Sequence, residues 1–178
     1  DEVRYFLFSQ VPFGEDGDFS KKSMINRINS DLSNDYGNLV QRVCSFIYNN
    51  CNGLVKNNFD LLEEDKFILL KSKELFNAYK KEMDQDSIDK ALKNVFKLIA
   101  LANSYVDKQA PWKLRNENLS RMNVVLSILV ELIRRIALMT YPIMPEKSQK
   151  ILNLISYDIK KLSFDDIFIL NKEEISIN

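Results

Sequence analysis

Apolar residues recur at helical spacing through most of this chain. From Leu32 to Asn50 they fall at Leu32, Tyr36, Leu39, Val43, Phe46 and Ile47, one stripe of an amphipathic helix. The same spacing predicts helices over Glu63–Lys81, through Phe67, Leu70, Leu75 and Tyr79, and over Ile88–Val106, through Leu92, Val95, Phe96, Ile99 and Ala102. A further helix, Leu119–Thr140, is apolar at Met122, Val125, Leu126, Leu129, Ile133, Ile136 and Leu138. Ser20 is placed to cap a short helix through Ile28, and Asp31 to begin the next one. Asp86 or Ser87 and then Asn116 are expected caps further on, and Pro111 is expected to stop the Ile88 helix. Pro145 suits the first position of a last short helix, Glu146–Ile155.

Polar punctuation separates these stretches. Gly14 to Asp18 reads as a turn, Gly53 as a left-handed helix end, and the residues from there to Leu62 as a loop. Val3–Val11 is an apolar run that periodicity assigns to neither a strand nor a helical turn. Beyond Ser156 the period is lost, and Phe164–Leu170 fits a short strand or a segment lying across the bundle. Short connections between helices imply antiparallel neighbours, so the fold class is all-α: an antiparallel bundle of about five helices.

Composition agrees. A 46% hydrophobic fraction with four glycines and four prolines in 178 residues describes a packed helical protein. Lys and Arg balance Asp and Glu at 25 each, so no global basic field marks a nucleic-acid partner, and any such contact must be local. No histidine occurs, which removes the commonest general base and metal ligand. Cys44 and Cys51 would lie two helical turns apart, roughly 10 Å, too far for a disulfide, and they read as buried thiols in a reducing cytoplasm. No apolar run is long enough to span a bilayer; even Val124–Ile136 is broken by Ser127, Glu131, Arg134 and Arg135. A first residue of Asp1 rather than Met is expected of a chain beginning inside a longer polypeptide.

Two features carry recognition chemistry. Trp112, the single tryptophan, follows Pro111 at a helix end. A ring held there is either an anchor between helices or a stacking plate for an unpaired base. Asn38 and Arg42 share one helix face at i, i+4 and present an amide beside a planar fork of donors. Those groups match the edge of a splayed base, and equally a solvated helix face. Asn103, Tyr105 and Asp107 lead toward Trp112 and are candidates to support its loop. Lys108, Lys113, Arg115 and Arg121 lie near enough in sequence to meet phosphates, and Arg134, Arg135, Lys147 and Lys150 make a second candidate patch. The Asn/Asp run from Asn26 to Asp35 is expected to bond its own backbone and tie the first helical hairpin. There is no catalytic constellation and no metal site.

Three strings together resemble the bacterial-type methionyl-tRNA synthetases: Asp1–Phe6 (DEVRYF), Pro12–Arg42 with its GEDGDFS turn and Asn38-Leu-x-x-Arg42 spacing, and Gln109-Ala110-Pro111-Trp112. The resemblance extends to about Asn153 and falls on the C-terminal anticodon-binding domain. It implies that Trp112 stacks on anticodon bases and that Asn38 and Arg42 recognise the first of them, a cytosine; Gln41 departs from the small residue usual there. Asn103, Pro111, Lys113 and Arg115 would support the site or touch phosphates. The implied whole is a methionine–tRNA ligase using ATP and magnesium, with the CAU anticodon loop of its tRNA and its own catalytic domain as partners, and a monomer. This chain holds no cofactor site and neither of the family's HIGH-like and KMSKS-like signatures, so it is expected to be inactive alone.

The expected organisation is a junction over 1–19, the helical bundle over 20–155 and an extension over 156–178 packing on it. On the residues alone, two other readings stay open. One is the equivalent domain of another class I synthetase, the other a helical protein-interaction module without RNA binding.

Overall fold

The structure, a computed structural model, describes residues 1–10, 19–56, 60–158, 168 and 175–177. Its helices are α1 (Glu2–Gln10), α2 (Lys21–Arg27), α3 (Asn38–Asn50), α4 (Glu63–Asp84), α5 (Ile88–Gln109), α6 (Pro111–Glu117), α7 (Leu119–Thr140) and α8 (Pro145–Leu154). A wider π-helical stretch, Ile28–Gly37, joins α2 to α3, and two short strands, β1 (Leu54–Val55) and β2 (Ile175–Ser176), complete the order. The all-α bundle read from periodicity is what the structure shows. The expected turn at Gly14–Asp18, part of the loop before Leu62 and all of Phe164–Leu170 except Phe168 lie outside the described residues.

α7 forms the axis. Its apolar residues run all round the helix rather than along one stripe, and from Val124 to Thr140 every residue is buried. The α4–α5 hairpin, α3, α6 and α8 pack round it, and Leu126, Leu129, Leu132, Ile133 and Ile136 lose all contact with solvent. Burial of each such side chain contributes about 1.5–3 kcal/mol, which makes this helix the main source of stability.

Three boundaries differ from those read in the sequence. The first concerns Asp31, which does not restart a helix. Ile28 (φ −60°, ψ −44°) and Gly37 (φ −62°, ψ −42°) are both right-handed helical, so Lys21 to Asn50 is one continuous rod. The Asp31 side chain reaches outward instead of competing for its own backbone: Oδ2 accepts the Tyr5 hydroxyl at 2.5 Å and pairs with Arg27 at 3.4 Å. Second, Val3–Val11 begins as helix α1, which buries Tyr5 and Phe6. Third, Pro111 ends α5 and also starts α6, and the cap of α7 is Asn118, whose Oδ1 accepts from the Arg121 amide at 3.0 Å, not Asn116.

The π stretch has a local requirement. In its last turn the Asn38 amide reaches back five residues to the Ser33 carbonyl. A Cβ on Gly37 would stand 2.9 Å from the Leu32 carbonyl oxygen. Gly37→Ala, which in an ordinary exposed helix would stabilise by about 1 kcal/mol, is therefore expected to destabilise by roughly 1–3 kcal/mol. A urea titration reads the sign. A raised midpoint would mean that the rod accepts ordinary α-winding there.

At its far end the rod closes through Gly53, in left-handed conformation (φ 72°) as read from the sequence. β1 pairs antiparallel with β2, Leu54 opposite Ser176 and Val55 opposite Ile175, and the Ile177 amide donates to the Gly53 carbonyl at 2.7 Å. A Cβ at Gly53 would meet the Ile177 oxygen at 3.1 Å, a second reason for glycine there. Ile177 is buried with the core, and Phe168 packs edge-on to Phe76 at 5.0 Å between centroids.

Candidate nucleic-acid interface

The turn from α5 to α6 builds one side of the site. Ala110 stands between them in left-handed conformation (φ 43°, ψ 63°), although a residue before proline ordinarily favours an extended one. Its amide donates to the Val106 carbonyl at 2.9 Å and its carbonyl accepts from the Lys113 amide at 2.8 Å, so it closes one helix and opens the next. Pro111, buried at the first position of α6, holds the corner. Trp112 follows at once and is thrown outward: it is 44% exposed, far too open for a core anchor.

α3 builds the other side. Asn38, its first residue, is exposed, and Arg42 comes one turn later on the same face. The Arg42 guanidinium lies over the Trp112 ring, 5.6 Å from Cζ to centroid, and Nη2 donates to Asp107 Oδ1 at 2.6 Å. The structure thus joins Arg42, Trp112 and Asp107 across 70 residues of sequence, with Asn38 one helical turn from them. Asp107 is 62% exposed and Arg42 32%, so this ion pair is a surface one, worth at most about 1 kcal/mol, and a ligand can displace it.

The supporting residues divide. Asn103 Nδ2 donates to the Asp35 carbonyl at 3.2 Å, tying α5 to the π stretch just ahead of Asn38. Arg115 Nη1 donates to Asn50 Oδ1 at 2.5 Å, which holds its guanidinium against the end of α3, and Lys113 is exposed. One of the expected phosphate contacts is committed elsewhere: Arg121 is turned inward to Asp65. Lys108 Nζ, by contrast, meets Glu64 Oε1 at 2.8 Å in a surface pair as displaceable as that of Arg42. The second patch does not form as expected either. Arg134 and Arg135 are buried, both bonded to Glu131, at 2.7 Å and 2.6 Å from their Nε atoms, with the Arg134 guanidinium over Tyr157 and that of Arg135 over Phe168. Their placement follows from α7: a helix buried all round must neutralise its charges internally.

Beneath the α5–α6 corner lies a network absent from the sequence reading. Asp65, fully buried in the first turn of α4, accepts from the Tyr105 hydroxyl at 2.6 Å, the Leu62 amide at 2.9 Å and both terminal nitrogens of Arg121, Nη2 at 2.8 Å. Arg121 Nη2 also donates to Gln109 Oε1 at 2.7 Å, and Gln109 Nε2 to Glu64 Oε2 at 2.6 Å. Burial pushes the Asp65 carboxyl up, but the bonds from Arg121, Tyr105 and Leu62 outweigh it and hold it below its ordinary range. Burial, and then the Asp65 charge, push the Tyr105 hydroxyl well up. Gln109, three residues before Trp112, is thereby fixed to α4 and α7. No group of three or more His, Cys, Asp or Glu among the described residues could hold a metal ion.

Comparison with known proteins bears on the whole chain. A family profile described as the anticodon binding domain of methionyl tRNA ligase matches residues 57–172, and one for class I tRNA synthetases (M) matches residues 1–44. A methionine–tRNA ligase of Brucella suis is 39% identical over 167 residues, covering 94% of this chain and 32% of the relative. One of Thermotoga maritima is 36% identical over 166 residues, 90% of this chain and 26% of the relative. The solved apo structure of Mycobacterium tuberculosis methionyl-tRNA synthetase superposes with a TM-score of 0.92 at 32% identity, over 99% of this chain and 37% of that one. The chain spans about a third of the length of the Brucella relative (32%).

Proposed function

The chain belongs to the methionyl-tRNA ligase family, within its anticodon-binding domains, and from that premise we propose that it is the anticodon-reading part of a methionine–tRNA ligase. The whole protein attaches methionine to its tRNA with ATP and magnesium, in the cytoplasm and as a monomer, through a catalytic domain that residues 1–19 join to this bundle. Residues 156–178 are an extension that belongs to the bundle side. ATP and magnesium are the catalytic domain's to hold, and the residues described above do none of that chemistry.

The work of this part is to bind the CAU anticodon loop. Trp112 offers one face of its indole to a splayed base. Arg42 leaves Asp107 and, with the Asn38 amide, meets the Watson–Crick edge of the first base, a cytosine. Asn offers a donor beside an acceptor, and the guanidinium a planar fork of donors, which suit the carbonyl, ring nitrogen and amino group along that edge. Lys113 and Arg115 meet phosphates and orient the loop without reading it. Asn103 and Pro111 hold the two sides in place.

One observation carries this reading: the Trp112 ring is open to solvent while Arg42 sits 5.6 Å from its centroid. The test is titration of a CAU anticodon stem-loop against one with its first base changed. A well-made two-point base contact is worth about 1–3 kcal/mol, so a preference of about tenfold to a hundredfold is expected for CAU. Equal binding of both would reject base reading. Tighter binding of a different anticodon would assign the domain to another synthetase, and binding of neither would leave a protein-interaction module.

A further inference from the structure

A groove of about 810 Å³ runs between α8 and the rod of α2, the π stretch and α3, within the range of small-ligand sites. Its floor is apolar, through Val40 and Ile151 among others, and its α3 edge carries Gln41, Ser45 and Tyr48, all exposed. Tyr48 is 64% exposed, the most open large hydrophobic side chain among the described residues. The α8 edge carries Lys147 and Lys150. Lys147 is held by Glu2 at 2.8 Å, and Lys150 has no carboxylate within ion-pair distance among the described residues. A flat aromatic, an amide and a hydroxyl on one side and a cation on the other are the groups that hold a base and its phosphate.

We infer that this groove is a second RNA subsite, taking one unpaired nucleotide of the loop outside the anticodon, its base on Tyr48 and its phosphate at Lys150. The inference rests on the reading of the Trp112 flank as an RNA interface. Tyr48 lies six residues beyond Arg42 on α3, about 9 Å along the axis and about 120° round it. On a cylinder about 10 Å across the two are roughly 14 Å apart over the surface, a span that suits a loop nucleotide outside the anticodon rather than the base at Arg42. Glu2 also lines the groove and neutralises Lys147, so among the described residues the rim carries one uncompensated charge, that of Lys150. That charge, together with the shared α3 helix, favours a phosphate-bearing RNA over a protein segment in this groove.

The CAU stem-loop is titrated at fixed salt with the chain and with Tyr48→Ala, Tyr48→Phe, Lys150→Ala and Trp112→Ala. Tyr48→Ala is expected to weaken binding about fivefold to tenfold, since one stacked base is lost, and Tyr48→Phe to restore it. Lys150→Ala is expected to flatten the salt dependence. A 4-thiouridine placed in the loop outside the anticodon is expected to crosslink to the Tyr48 peptide. Wild-type binding by Tyr48→Ala, or crosslinks confined to the Trp112 flank, would overturn the subsite. If Trp112→Ala is silent as well, the reading of that flank falls too; if only Tyr48→Ala is silent, the groove alone is rejected.

Discussion

Trp112→Ala is expected to weaken binding of the CAU stem-loop tenfold or more while leaving helical content unchanged and lowering thermal melting by only a few degrees. Both halves follow from exposure. A ring that is 44% open, at the second residue of a seven-residue helix, contributes little to a core built round α7. Its value lies in the free face, where stacking of a base contributes about 1–3 kcal/mol, a factor of about five to a hundred and fifty. The substitution also removes the surface over which Arg42 rests at 5.6 Å, so the base-reading fork loses part of its orientation. Removing the Asp107 ion pair should cost far less, since that pair is exposed. Trp112→Phe is expected to recover part of the affinity and Arg42→Lys little of it, because an ammonium cannot reproduce a planar fork. Circular dichroism and a stem-loop titration together decide. A variant that melts much lower would make the ring a structural anchor, and one that binds normally would end the stacking account.

The sequence carried the parts of the site that depend on one element at a time. Asn38 and Arg42 share a face because a helix repeats every 3.6 residues, and Trp112 is held at a corner because proline follows a helix end. What it did not carry lies in pairings between elements. Asp65 reads as one more acid in a first turn with Glu63 and Glu64, and only the fold brings it to Arg121, 56 residues on. Arg134 and Arg135 read as surface charge by residue type alone, whereas the all-round apolar pattern of α7 was the available signal that they are buried beside Glu131. The rod defeated a propensity argument. Asn and Asp favour breaks when they bond their own backbone, but Asp31 had a stronger partner in Tyr5, and Asp35 offered its carbonyl to Asn103. Ala110 in left-handed conformation before proline had no sequence signal. It is held by the elements on both sides of it.

The hidden pairing gives the largest expected effect on stability. Asp65→Ala leaves Arg121 with Gln109 as its remaining acceptor and strips the Tyr105 hydroxyl and the Leu62 amide of theirs. Removing one partner of a buried pair costs about 3–5 kcal/mol, because the cost is that of a stranded charge rather than of a lost attraction. For a domain of this size that lowers the melting temperature by roughly 10 °C or more. The acid side of the stability profile supplies a second readout. A carboxyl held below its ordinary value of 3.8 contributes fully above that pH, and the contribution is lost as pH falls through the depressed value. The wild-type chain should therefore shed stability below about pH 4 more steeply than Asp65→Ala, and the two melting curves should converge there. Because Gln109 hangs from the same network three residues before Trp112, the variant should also bind the stem-loop more weakly at temperatures where it is fully folded. A variant as stable as the wild type would mean that Asp65 and Arg121 are not coupled. One destabilised as expected yet binding normally would mean that the corner stands without them.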